Sequence, residues 1–544
     1  MPIHRGFSRV LNMSNIYKKG ENRKQQMFFP PSIDEYVRDD NPVRAIEDYV
    51  ELLNMATLGF TKAALVSIDG QPAYHPKLLL KIYIYGYLNK IRSSRKLESE
   101  IKRNIEMMWL CAGLQPSYKT IADFRKENSK ALKKVFREFV LLCKELDLIT
   151  GELVAIDGAF LRANASKNQL IMKKSVHRDL KKIDEKIEDY LETLEFVDSQ
   201  EKKEKLLKPP PSNKLAQMKQ RKSKLDKDLA LLEKMNVTQY NRTDPDAKVM
   251  VKPSHNLMAY NAQIAVDTTF KFIIATDISS VGQDTNQLYN MASKSKEVLN
   301  KERLDVTADK GYYNTTNIKE CIDNNITPYL PTPKYKPSSK SGFFTSDKFE
   351  YDTKEDCYRC PNNQMLLKAP YTQEKKGRVK FVYQGTSAMC KSCPLRENCM
   401  PAKTAYKRIY RWEHQALLNQ HHEKMQTKES KRIIKKRGSI VEHPFGTIKQ
   451  HLGWTHFLVR GTQKVSGENA LIMFSYNFRR LLNLIGIALF RKLIHALKDG
   501  NIEAIKAEIM TYIAMVLDTW GYFINILGFY NFRREKLLIE LLIG

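Results

Sequence analysis

Apolar residues in this chain mostly recur at helical spacing, but at a few places they run together and stop on a carboxylate. In Leu153-Val-Ala-Ile-Asp-Gly-Ala-Phe160 four apolar or small residues lead into Asp157, and a glycine follows. A short apolar run closed by a turn residue predicts a buried strand. A carboxylate at the tip of such a strand is costly to bury alone, so Asp157 either opens a turn or stands at a cleft beside a cation. The stretch Arg303-Leu-Asp-Val-Thr-Ala-Asp-Lys-Gly311 delivers Asp309 to a second strand end in the same way. Two such ends can face each other across parallel neighbours.

Residues 1–150 read as wholly helical. Pro76 stands where a first helical turn tolerates it, with the apolar run Leu78 to Leu88 behind it, and Ser94 and Ser117 are N-cap candidates, the second ahead of Ile121, Phe124 and Arg125. Such a bundle is either a helix-turn-helix reader of duplex ends or a packing module. Beyond the Asp157 strand, Leu180, Ile183, Ile187, Leu191 and Leu194 mark one stripe and Leu215, Met218, Leu225, Leu229 and Leu232 another, with Pro209-Pro-Pro211 between them. This predicts an antiparallel helical hairpin inserted at 165–245. Tyr260 to Asp267 and Phe272 to Ile278 predict a β-hairpin, Asp284 to Leu299 a helix, Thr316 to Asp323 a shorter one, and Ile326 to Leu330 an edge strand. The expected fold class is therefore α/β, a mixed sheet with helices on its faces and right-handed parallel crossovers. The succession of elements is that of an RNase H-like core.

Charge narrows the class of partner. The 544 residues, enough for roughly three or four structural units, carry a formal net charge of +29, which attracts polyanions, nucleic acid before membrane surface. No apolar core follows Met1-Pro-Ile-His-Arg, so no secretory signal is read and the cytoplasm is expected. Tyr512 to Phe532 is apolar and aromatic, yet Asp518, Gly521 and Gly528 interrupt it, which favours a packed helical pair over a membrane span. Eight cysteines in a reducing compartment suggest metal before disulfides. Cys357-Tyr-Arg-Cys360 and Cys390-Lys-Ser-Cys393 are two C-x2-C knuckles, offering four thiolates to one structural Zn²⁺, with Cys399 a spare or a replacement. Cys111, Cys143 and Cys321 lie in apolar settings and read as inert.

From Lys403 to Arg437 the chain reads as helical and basic. Its end, Lys431-Arg-Ile-Ile-Lys-Lys-Arg437, places Lys435, Lys436 and Arg437 either on phosphates or on a solvated face. Glu442 stands three residues after Ser439, a capping-box spacing, so spacing alone does not separate a helix cap from a catalyst. Asp157, Asp309 and Glu442 offer hard oxygen ligands suited to Mg²⁺ or Mn²⁺. Two such ions about 3.5–4 Å apart would clamp the attacking and leaving oxygens of a phosphoryl displacement.

The run Val441-Glu-His-Pro-Phe-Gly-Thr-Ile-Lys449, continuing through Gly453, His456-Phe-Leu-Val-Arg-Gly461, Lys464-Val465, Glu468 and Tyr476-Asn-Phe-Arg-Arg480, resembles the DDE transposases of bacterial insertion sequences, in the branch with a cysteine-rich insertion before the last acidic residue. Ala155-Ile-Asp-Gly158, Thr243-Asp-Pro-Asp246, Tyr260 to Asp267, Ala308-Asp-Lys-Gly-Tyr312, His75-Pro-Lys-Leu-Leu79 and Ile121-Ala-Asp-Phe-Arg125 are similar too, so the likeness covers roughly residues 25–485. It implies Asp157, Asp309 and Glu442 as catalytic ligands of two Mg²⁺ or Mn²⁺ ions. It also implies Lys449 as a contact to DNA at the element's end; Arg460 and the Lys435 to Arg437 run are further DNA-binding candidates. Related proteins often place a tyrosine and an arginine at fixed spacings before the glutamate; here the position four before Glu442 is Gly438, with Arg437 one residue off, so either Arg437 takes the role or the phosphate is held differently.

The expected organisation is a helical DNA-binding domain at 1–150 and an RNase H-like catalytic domain at 151–485. The catalytic domain would carry the helical hairpin and a zinc-ribbon-like module at 340–405, and a helical tail of unassigned role would occupy 486–544. The resemblance implies metal-dependent cleavage at element ends and strand transfer. The implied partners are double-stranded DNA, as terminal inverted repeats and target, and a second copy of the chain in a synaptic homodimer; the implied setting is the bacterial cytoplasm near the nucleoid. Two other readings fit the same residues: a catalytically inactive DNA-binding regulator, and an RNase H-like nuclease that cuts without joining.

Overall fold

A computed structural model describes residues 32–63, 72–201, 213–251, 256–332, 342–375 and 378–526. The predicted breaker Pro209 to Pro211 and the end of the Tyr512 to Phe532 stretch lie outside them.

The amino-terminal region is helical as expected. Helix Pro76–Leu88 starts on its proline and is buried on nearly every side, which is why its sequence is apolar all round. Ser117 caps helix Tyr118–Glu127 by accepting the Thr120 N–H at 3.3 Å. Helix Ser129–Glu145 packs along the long carboxy-terminal helical segment Thr462–Lys498, which is broken at Gly486 (φ 76, ψ 162); there Tyr49, Phe139, Phe474 and Phe478 interlock, and the Phe139 and Phe474 rings meet edge to face at 5.0 Å. Burying each such ring contributes roughly 2–3 kcal/mol.

The central sheet is mixed. Strand Leu153–Arg162 lies between Asn256–Asp267, antiparallel, and Leu304–Thr307, parallel, and the parallel strand Ile326–Tyr329 forms one edge. The long Asn256–Asp267 strand carries Ile273–Ser279 along one part of its other side and Lys248–Val251 along the rest. The last of these has no strand pattern in its sequence and pairs by position alone. The helix expected from Asp284 starts at Leu288, because Asp284 to Gln287 form a turn closed by a bond from the Gln287 N–H to the Asp284 carbonyl at 2.9 Å.

The inserted hairpin is antiparallel. Helix Lys173–Glu201 and helix Asn213–Lys234 exchange the ion pairs Lys173–Glu233 and Lys222–Asp184, and Val176 and Leu232 are buried at its base.

The cysteine-bearing insertion is a five-stranded antiparallel sheet, ordered Arg408–Trp412, Arg378–Gln384, Met365–Lys375, Cys357–Arg359, Glu350–Asp352. The expectation of continuous helix from Lys403 is thereby corrected: Arg408-Ile-Tyr-Arg-Trp412 is rich in the β-branched and aromatic residues that strands favour. Helix Gln415–Gln426 follows, and then helix Lys428–Gly446, capped by Thr427. Ser439 and Glu442 lie well inside this helix, so Glu442 is not a cap. Pro444 does not break it, and a π-helical turn follows at Thr447–His451. The tail is helix Ile502–Ile526, which packs on helix Thr462–Lys498 through Ile505, Ile509 and Ile513. Among the described residues no helix is long and apolar enough to cross a membrane.

Candidate active site

The two aspartates are set by strand register. Ala155 pairs with Thr307 across the parallel neighbours, so Asp157 and Asp309, each two residues further on, stand at the same level; Asp309 lies just past its strand, whereas Asp157 lies inside Leu153–Arg162, paired with Ile264, which corrects the expected strand end at Asp157. Asp157 Oδ1 accepts the Gly158 N–H at 2.9 Å, and Asp309 Oδ1 accepts the Gly311 N–H at 2.8 Å. Helix Lys428–Gly446 crosses this end of the sheet and brings Arg437 Nη1 to 3.7 Å from Asp157 Oδ2. That nitrogen is buried and makes no hydrogen bond.

Burial pushes the Asp157 carboxyl up to about 6; Arg437 and the Gly158 amide oppose the rise, while Asp309 and a third carboxylate, Asp284, add to it. The Tyr312 phenol is pushed up first by burial and then by Asp284, Asp157 and Asp309. One buried hydroxyl thus reports three aspartates around it. Tyr312 donates to Gln263 Oε1, whose Nε2 donates to Asp284 Oδ1 at 2.7 Å, and Asn261 Nδ2 donates to the same oxygen at 2.7 Å.

The sequence reading missed Asp284, Asn261 and Gln263. A signal was present: two amides two residues apart share one face of an otherwise apolar strand, and buried amides need partners.

Glu442 is exposed on its helix, and a Cβ at Gly438 would lie 3.3 Å from its Oε1. Its carboxylate therefore turns back over the preceding turn, and the glycine leaves it room. Among the described residues no three His, Cys, Asp or Glu side chains are gathered closely enough to hold a metal ion as they stand. The donor set at this end of the sheet is nevertheless all carboxylate oxygen, the chemistry of a hard divalent cation, and the mutual repulsion of the aspartates is what such a cation would relieve.

Lys435 is exposed and Lys436 half-buried, on the same helix as Arg437. Lys449 sits in the π-helical turn with its Nζ 5.3 Å from the Phe445 ring centroid. Arg460 Nε holds the Asn164 carbonyl at 3.0 Å.

In the insertion, Cys360, Cys390, Cys393 and Cys399 line one small cavity of about 30 Å³; burial raises the Cys399 thiol, Lys407 opposes the rise, and Cys390, Cys360 and Cys393 add to it. Cys360 Sγ accepts the Gln364 N–H at 3.4 Å. Cys357 is elsewhere. Its neighbour Tyr358 packs into the cluster that contains Cys399, and because side chains alternate along a strand, Cys357 points away from it. Of the five cysteines of the insertion, Cys360, Cys390, Cys393 and Cys399 therefore share this cavity, and Cys357 does not line it.

Residues 31–127 match a family described as a transposase domain (DUF772), and residues 359–482 match one described as a transposase DDE domain. The chain is a DDE transposase of the insertion-sequence type. No curated protein matches it. Among solved structures, a cryo-EM structure of piggyBac transposase synaptic complex with hairpin DNA has 10% identity and a TM-score of 0.27, covering 93% of this chain and 86% of that one. A likeness that weak leaves the assignment on the two family matches.

Several residues of the transposase that stand in its most recognisable runs serve the scaffold. Asp244 Oδ1 accepts from the Tyr260 hydroxyl at 2.8 Å and the Gly461 N–H at 3.1 Å, and Asp246 accepts the Thr462 N–H at 2.8 Å. Two carboxylates therefore meet the positive end of helix Thr462–Lys498. Asn477 takes both backbone groups of Ile273, at 2.9 and 2.8 Å, and Tyr476 donates to the Lys271 carbonyl at 2.9 Å.

Because the Tyr476 proton is spent on that carbonyl, the hydroxyl accepts from His443 Nδ1, 3.0 Å away, which fixes the imidazole tautomer and leaves Nε2 buried without a partner. Burial, then Arg480, Lys271 and His451, depress the His443 pKa to about 3. The unfolded chain therefore takes up this proton at a higher pH than the folded one. The contribution is intact above pH ~6.5 and is lost as pH falls toward 3, at up to about 1.4 kcal/mol per unit. Denaturant titrations of wild type and His443→Asn between pH 7 and 4.5 should show the variant losing stability less steeply; parallel curves would refute this.

Proposed function

We propose that the transposase cuts DNA at the ends of its insertion sequence and joins the freed ends to target DNA, on an RNase H-like core, with Asp157, Asp309 and Glu442 as carboxylates for two Mg²⁺ or Mn²⁺ ions. The observation that carries the reading is the common level of Asp157 and Asp309 on parallel neighbours, with Arg437 3.7 Å from Asp157. Bound cations would supply charge stabilisation to the attacking and leaving oxygens. In cleavage, a water oxygen attacks phosphorus and the bond to the bridging 3′ oxygen breaks, which leaves a 3′-hydroxyl. In joining, that hydroxyl attacks a target phosphorus and the target's own P–O3′ bond breaks, so the number of phosphodiesters is unchanged. Arg437, with an N–H free of hydrogen bonds, is placed to hold a phosphate oxygen beside Asp157. Lys435, Lys436, Lys449 and Arg460 extend a positive track for the backbone, and the two ends of one element call for a homodimer in the synaptic complex.

A labelled element-end duplex incubated with target DNA in Mg²⁺ should yield joined product. Cleavage without joining would favour the nuclease reading, and binding without either would favour a regulator. For Lys449→Ala, affinity for the element end should fall and the slope of log affinity against log salt should flatten by about 0.9; an unchanged slope would remove this lysine from the interface.

A structural Zn²⁺ on Cys360, Cys390, Cys393 and Cys399 is part of the same proposal. It is supported by the cavity the four thiols share and by the amide donated to Cys360, and it would hold together a small sheet with a core of few residues. Elemental analysis should find one zinc per chain in wild type and in Cys357→Ser, and a loss of zinc in Cys399→Ser. Loss in Cys357→Ser with retention in Cys399→Ser would reverse the assignment.

A further inference from the structure

We propose that one face of the cysteine-bearing sheet is a stacking platform for an unpaired DNA strand, with the Tyr371 and Tyr410 rings receiving bases and Arg408 and Lys380 receiving the backbone. The binding goes beyond the catalytic reading and does not depend on it.

Strand register sorts the insertion into two faces. Lys368, Tyr383 and Ile409 form one row across the three longest strands, and Tyr383 and Ile409 are buried in the insertion's own core with Tyr358 and Leu366. Because side chains alternate, the rows Leu367–Gln384–Arg408 and Gln373–Lys380–Trp412 belong to the opposite face, and so does the Val382–Tyr410 pair between them. The register shift between Lys368 and Thr372 sets Tyr371 beside that pair, and its hydroxyl donates to Gln384 Oε1 at 3.2 Å, which holds it on the same face.

The outer face of an antiparallel sheet is ordinarily polar, yet here Leu367 is 60% exposed, Tyr371 47% and Tyr410 46%. Among the described residues neither tyrosine ring is stacked on another ring or covered by a cation. Arg408 lays its guanidinium 4.8 Å from the Tyr406 ring centroid and donates to the Tyr406 hydroxyl at 2.6 Å. Neither Arg408 nor Lys380 forms an ion pair among the described residues, and Glu374, the one acid of the three strands, pairs with Val379 in a row of the core face. A groove of about 450 Å³ lined by Phe343, Met400, Pro401, Tyr406, Arg408 and Tyr410 continues the platform.

Open rings interleaved with uncompensated cations fit a ligand that has both flat π faces and negative charge. A duplex keeps its base faces stacked inside, whereas an unpaired strand presents bases and phosphates together. The platform is also tied to the catalytic end of the main sheet. Arg378 donates to Thr316 Oγ1 at 3.1 Å and to Asn314 Oδ1 at 2.9 Å, just past Asp309, and Trp412 beside it is buried in the main core. From Arg378 the strand runs six residues, about 20 Å, out to Gln384. A DNA strand leaving the Asp309 end would therefore cross Lys380 before it reached Tyr410, Tyr371 and Arg408.

The test is fluorescence anisotropy of the full chain, without added divalent cation, on three probes of about 12 nucleotides: an unpaired strand, a blunt duplex, and a strand whose sugars carry no bases. Tyr371→Ala/Tyr410→Ala should bind the unpaired strand about tenfold more weakly than wild type, with affinity for the duplex and the base-free strand unchanged within twofold. Tyr371→Phe/Tyr410→Phe, which keeps both rings, should bind the unpaired strand as wild type does. Should the alanine pair lower Tm, Tyr371→Leu/Tyr410→Leu, which keeps apolar bulk without a ring, is read in the same way. An equal loss on all three probes would make the face a surface for backbone alone, and no loss on any would give it to another kind of partner; either result overturns the proposal. Because no cleavage is read, the outcome is independent of the roles given to Asp157, Asp309 and Glu442.

Discussion

Asp157→Asn, Asp309→Asn and Glu442→Gln are each expected to slow cleavage of an element end in Mg²⁺ by about a thousandfold or more while leaving DNA affinity within a few-fold of wild type. Removing one preorganised electrostatic partner of a transition state costs about 10²–10³ in rate, and on the proposed assignment each change would also strip a ligand from cations whose charge the displacement needs. Affinity for DNA comes from lysines and arginines spread over a chain of net charge +29, so losing one acidic group does not weaken it. Single-turnover cleavage and filter binding on the same preparations check both halves. An Asp157→Asn protein that cleaves at an undiminished rate would remove that residue from the site.

The second large effect is on stability. Glu468 is fully buried in helix Thr462–Lys498, and its Oε2 accepts the Leu458 and Val459 N–H groups at 2.9 and 3.1 Å. Its Oε1 receives Arg125 Nη1 and the Tyr87 hydroxyl, each at 3.4 Å. Arg125 and Tyr87 belong to the amino-terminal helices, so one buried ion pair joins the two halves of the transposase. Breaking such a pair from one side strands the other charge and costs about 3–5 kcal/mol. Glu468→Ala and Arg125→Ala should each lower the unfolding free energy by that amount, and the double variant should lose less than the sum. Additive losses in a denaturant series would show that the two groups do not depend on each other.

The strands were legible from their apolar runs, and the level of Asp157 with Asp309 followed from two runs of the same kind, although the first strand continues past Asp157 and Gly158 to Arg162 because Asn256–Asp267 pairs with it over that length. What escaped the sequence was set by distant contacts. Lys248–Val251 is a strand because Asn256–Asp267 offers it an edge. Arg408–Trp412 joins the insertion because Arg378–Gln384 needs a partner. Glu442 carried a capping-box spacing, yet its helix begins at Lys428, so the local signal lost to a longer amphipathic pattern. The cysteine knuckles were visible, but the face on which Cys357 points depends on strand register, and register cannot be read from the spacing of cysteines. Asp284 stood at a helix boundary that looked ordinary. Its partners Asn261 and Gln263 are 23 and 21 residues away in sequence and meet it only through the fold.

The most direct measurement of the central claim is cleavage of a labelled element end by Asp309→Cys in Mg²⁺ and in Mn²⁺. A thiolate is a poor ligand for Mg²⁺ and a better one for Mn²⁺, so the variant should be inactive in Mg²⁺ and recover cleavage in Mn²⁺, with wild type active in both. Cleavage by Asp309→Cys in Mg²⁺ at the wild-type rate would contradict a cation held by this carboxylate.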